Sequence, residues 1–142
     1  MCWFVKPKTR YREEMCEHLK AYMLSYIGED PFAGDDIVSL FSDAELIVRR
    51  LPKREIAKTM RANGVNVECC ALNILQNVAM TNIKQQSSAD FIKGAMEDYA
   101  FRLYREINKI KLEKKYISKQ QYEENDLLAA KLALKSPLGG WL

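Results

Sequence analysis

One histidine, six glycines and four prolines in 142 residues set the first limits on this chain. Glycine and proline punctuate hairpins and tight turns, so so small a supply speaks against an all-β fold. Any hydrolytic triad would have to be built on His18 alone. The four cysteines, Cys2, Cys16, Cys69 and Cys70, show no Cys-x-x-Cys spacing. Cys16 and His18 stand two apart, which on a helix points them in different directions. No metal and no cofactor are therefore expected. Also missing are a Gly-x-Ser-x-Gly elbow, a glycine-rich phosphate loop and a His-Glu-x-x-His pair. Glu29, Asp30, Asp35 and Asp36 do gather around one loop, but their spacing is not that of a calcium loop. Helix N-termini collect acidic residues for electrostatic reasons alone. Catalysis is the least supported class of function.

Long apolar runs are missing too, so no membrane span is expected. Met1–Val5 is apolar but has no basic leader and stops at Lys6, so no export signal is read there. The cysteines are accordingly taken as free thiols in a reducing, cytoplasmic setting.

What the chain does have is 48% hydrophobic and 29% charged residues, the balance of an ordinary globular protein. Its length suits one domain over 1–142. The apolar spacing predicts an all-α bundle of five to seven helices, with an N-terminal arm at 1–8 and an irregular tail at 136–142. Met15, Leu19, Tyr22, Met23 and Tyr26 recur at steps of three and four, marking a helix from Thr9 to about Ile27 that Gly28 closes. Residues 35–51 read as one helix or as two, 35–41 and 43–50, because Ser42-Asp43-Ala44-Glu45 has the form of a capping box. Pro52 fits the first turn of a helix over 52–62, which Asn63-Gly64 ends. The stretch from about 66 to 85 is apolar nearly all round, with charges only at Glu68 and Lys84 near its ends, and is expected to be the buried central helix. A long fifth helix is expected over about 88–115, carrying Ile92, Met96, Tyr99, Leu103, Ile107 and Ile110 on one face. A sixth runs from the box Ser118-Lys119-Gln120-Gln121 to about Lys135 and is expected to bury Tyr122, Leu127, Leu128 and Leu132.

The segment Leu112 to Glu124 resembles the short helix-turn-helix found at the ends of many bacterial proteins, a short C-terminal oligomerisation module. Tyr116 stands where that pattern has glycine before the isoleucine, and no function is carried over from it.

Charge is unevenly spread. From Glu13 to Glu45 nine acidic residues face Lys20 alone, a net of −8. Arg49, Arg50, Lys53, Arg54, Lys58 and Arg61 stand against Glu55, a net of +5. A second basic run of the same net charge holds Arg102, Arg105, Lys109, Lys111, Lys114, Lys115 and Lys119 against Glu106 and Glu113. Such runs suit nucleic acid or an acidic partner. Residues 43–80 have the outline of a three-helix DNA-binding unit, but its groove-entering helix would be the apolar 67–83 stretch, without a basic residue before Lys84. At the termini, Trp3, Phe4, Leu138, Trp141 and Leu142 are apolar groups suited to a protein interface. The expected function is a non-catalytic interaction protein, self-associating or bound to a protein partner. The alternative is a nucleic-acid-associated regulator using 49–61 and 102–119.

Overall fold

A computed structural model describes residues 7–29, 34–88 and 99–134. These form six helices and, among the described residues, no strand: α1 (Pro7–Glu29), α2 (Gly34–Arg50), α3 (Lys53–Ala62), α4 (Val67–Ser88), α5 (Tyr99–Glu113) and α6 (Lys119–Leu134). The all-α bundle read from the sequence is the architecture observed. No described helix is long and apolar enough to cross a membrane. The chain divides into two compact units, Met1–Leu75 and Gln76–Leu142, and the boundary falls inside α4.

In the first unit α1 packs along α2 and against α3. The helix begins at Pro7, two residues before Thr9, and residues 1–6 of the arm expected over 1–8 lie outside the described residues. Proline suits a first helical turn because the N–H it lacks would have no partner there. Met15, Cys16 and Leu19 of α1 are buried against Ile37, Leu40, Phe41, Ala44 and Val48 of α2. Those α2 residues keep the three-and-four spacing straight across Ser42. Burial therefore holds α2 as one helix despite the capping box in its middle. Its C-terminal carbonyls are held from α1, where the Arg12 guanidinium donates to the carbonyl oxygens of Arg49 and Leu51.

Pro52 lies one residue before α3, at the N-cap, and its carbonyl accepts from the N–H groups of Glu55 (2.9 Å) and Ile56 (3.0 Å). The turn into α4 runs through Gly64 (φ 65°) and Val65 (φ 56°), with the Val65 N–H donating to the Met60 carbonyl at 2.7 Å. Asn66 then caps α4, its Oδ1 accepting from the Cys69 N–H at 2.8 Å. The buried helix expected near 66–85 is α4, whose Cys69, Cys70, Ala71, Leu72, Ile74 and Leu75 join the first core.

In the second unit Gln76, Val78, Ala79 and Ile83 of α4 are buried, as are Ala100, Phe101, Leu103, Tyr104 and Ile107 of α5, which packs on α6. The described part of the expected 88–115 helix is 99–113; the segment 89–98, with Ile92 and Met96, lies outside the described residues. Ser118 caps α6 as expected, its Oγ accepting from the Gln121 N–H at 3.1 Å. One expectation fails on α6. Leu127 and Leu128 are 55% and 44% exposed, while Ala129 is fully buried. The packing face is instead 122–125–126–129, because Asn125 and Asp126 find partners on α5.

Candidate functional site

Three places could carry function: a cleft between α1 and α2, a buried polar cluster in the second unit, and the basic faces. The cleft has a volume of about 360 Å³ and is lined by Glu13, Cys16, Glu17, Lys20, Met23, Val38, Ser42, Glu45 and Arg49, among others. Three of its charges, Arg49, Glu45 and Glu13, are engaged with one another. The Arg49 Nε donates to Glu45 at 3.0 Å, and its Nη1 lies 3.5 Å from Glu13. The bond to Glu45 raises the guanidinium further above its ordinary range. The Cys16 thiol in the wall is held neutral: burial pushes it up, and the positive charge of Arg49 offsets this only in part. A neutral thiol is a poor nucleophile. No group of three or more His, Cys, Asp or Glu placed to hold a metal occurs among the described residues.

The second place was not legible as a site. Lys111 counted towards a basic run, yet it is buried, and its Nζ donates to Gln76 Oε1 at 2.7 Å. Gln76 in turn donates to the Tyr104 carbonyl at 3.3 Å. Asn108, fully buried, donates to the Tyr122 carbonyl at 3.1 Å and accepts from Asn125 Nδ2 at 2.9 Å. The signal was there in the spacing: Tyr104, Ile107, Asn108 and Lys111 fall on one helical face. Satisfied buried amides of this kind fix how helices pack.

The basic faces differ from one another. On α5, Arg105 makes two hydrogen bonds to Asp126, at 3.0 and 3.2 Å, and Arg102 lies 4.4 Å over the Tyr99 ring. Lys109, Lys114 and Lys115 are exposed, but Glu106 and Glu113 interrupt their face. On α3, by contrast, Arg54, Lys58 and Arg61 recur at i, i+4 and i+7, which places them within about 60° of one another around the helix axis. All three are exposed and make no ion pair with any described residue, and the same holds for Arg50 and Lys53. Arg49, expected with them, instead belongs to the cleft. The stripe forms because Ile56 and Met60 are buried on the opposite side of α3. Trp3, Phe4, Leu138, Trp141 and Leu142 lie outside the described residues.

No protein-family model, curated protein or solved structure matches the chain.

Proposed function

We propose that the chain is a non-catalytic interaction protein acting through protein–protein contacts, with the outer face of α3 docking an acidic surface of its partner. The observation that carries this reading is the stripe Arg54–Lys58–Arg61, exposed and in no ion pair with any described residue, with Glu55 the one acidic residue of its helix. The five cations over 50–61, none in an ion pair with a described residue, repel one another, and they gain most against a surface of opposite sign. The free thiols Cys16, Cys69 and Cys70 fit a reducing compartment, so a cytoplasmic setting belongs to the proposal.

The same stripe also favours nucleic acid as a second reading. Net charge separates the two. Residues 1–75 hold eleven basic and eleven acidic side chains, so beyond the stripe itself the unit carrying α3 adds no net positive charge to attract a long nucleic-acid backbone. A protein bearing a local acidic patch does not need one.

The test is a titration of the full chain with a glutamate-rich peptide and with a generic DNA duplex, each over a salt series. The expected result is peptide binding that Lys58→Glu/Arg61→Glu weakens about tenfold or more. Duplex binding that is tighter than peptide binding, with affinity falling as roughly the fourth power of salt, would transfer the site to nucleic acid. No binding of either probe at low salt overturns the α3 surface.

A further inference from the structure

The outward face of α2 has a pattern that the packing of the first unit does not use. Asp36, Ser39, Asp43, Leu46 and Arg50 follow one another at steps of three, four, three and four, and every one is exposed. That spacing lines them up as one seam along the helix, and Ile47, four residues after Asp43, lies beside it. Leu46 and its neighbour Ile47 are 45% and 43% exposed, while the buried stripe of α2 lies on another side. Acidic groups occupy the first part of the seam and a basic group ends it. Asp43 and Arg50 form no ion pair with any described residue.

We infer that this face is a self-association surface whose occupant is α2 of a second copy, packed antiparallel about a two-fold axis. The inference rests on the reading of the chain as an interaction protein and names a surface and a partner for it. Charge complementarity selects both. An antiparallel pairing brings the acidic half of one seam to the basic end of the other, which a parallel pairing does not. A register that sets Leu46 against Ile47 of the second copy also sets Asp43 against Arg50. Two-fold symmetry repeats that contact at the other end. The alternative register centred on Asp43 would pair Asp36 with Arg50 twice, but it brings the two Asp43 carboxylates together and sets neither Leu46 nor Ile47 against an exposed aliphatic side chain, so the first register is favoured. Four aliphatic side chains then sit between two ion pairs, and removing water from that centre strengthens the flanking charges. Antiparallel helices also oppose their dipoles favourably.

Charge exchange tests this directly, by sedimentation of the full chain across a concentration range. Asp43→Arg sets Arg against Arg at both ends, and Arg50→Asp sets Asp against Asp. Each is expected to weaken dimerisation about tenfold or more. The combined Asp43→Arg/Arg50→Asp chain restores opposite pairs and is expected to return to within a few-fold of the original affinity. Both positions are exposed, and unchanged helical circular dichroism in each variant separates lost association from lost folding. Equal association in all four chains overturns the α2 face, as does a monomer at every concentration. Either failure leaves the α3 reading to its own peptide titration, whose variants lie outside this seam.

Discussion

Val65 holds a backbone conformation that a β-branched residue rarely adopts, φ 56° directly after Gly64 at φ 65°. A side chain there crowds its own backbone, at a cost of about 1–2 kcal/mol. The conformation persists because the Val65 N–H closes α3 on the Met60 carbonyl and the next residue must cap α4. Asn63 braces the same turn, accepting from Asn73 Nδ2 at 2.6 Å. Val65→Gly is therefore expected to stabilise the protein by about 1 kcal/mol. Gly64→Ala is expected to destabilise it by about as much, since a Cβ there meets open space and only the backbone term remains. Urea denaturation of the two variants checks both signs, and a destabilised Val65→Gly chain would show that the valine side chain contributes more than its strain costs. The sequence reading found this turn at Asn63-Gly64 but not its second left-handed residue. Valine carries no turn signal, and only the closure between two packed helices forces it there.

Between elements, the seam of α5 with α6 is polar where leucine was expected. The reading by hydrophobicity placed Leu127 and Leu128 in the core; the helix turns instead to present Tyr122, Asn125, Asp126 and Ala129. The amides decide this. Asn108 is fully buried, and it is satisfied only if Asn125 and the Tyr122 carbonyl face it. Leaving such a group unpaired costs about 1–3 kcal/mol, comparable to burying a leucine in part. Apolar periodicity located α1 to α4 well because their stripes are aliphatic. It misled on α6, and on Lys111, because hydropathy does not show which polar groups have partners. Asn108→Leu is expected to cost about 2 kcal/mol by stranding the Asn125 amide, and Asn125→Leu about 1–2 kcal/mol. The double variant should cost less than the two together by about 1 kcal/mol. Strict additivity in a double-mutant cycle would mean that the pair does not act as a unit.

At the scale of the whole molecule, both units bury acids that ionise late. Burial pushes the Cys70 thiol from its ordinary value of 9.0 up to about 11; neighbouring Cys69 adds to the shift and hydrogen bonding to Asn63 opposes it. Burial likewise raises Cys16 in the first unit and Tyr104 in the second, where Asp126 contributes. The folded chain thus favours the neutral forms. Unfolded thiols begin to lose protons at about pH 8.5, so above that point the unfolded state holds fewer protons than the folded one. The stability contributed by these neutral groups is complete below that pH. It drains away as pH climbs through 9 and is lost above about 11, the folded value of Cys70. Urea midpoints measured under reductant at about pH 7.5, 9.5 and 10.5 should fall across the series. The Cys70→Ala chain should show a shallower fall over the same range, since it has no thiol to ionise there. A midpoint that holds level to about pH 10.5 would mean that these side chains meet more water than their burial implies.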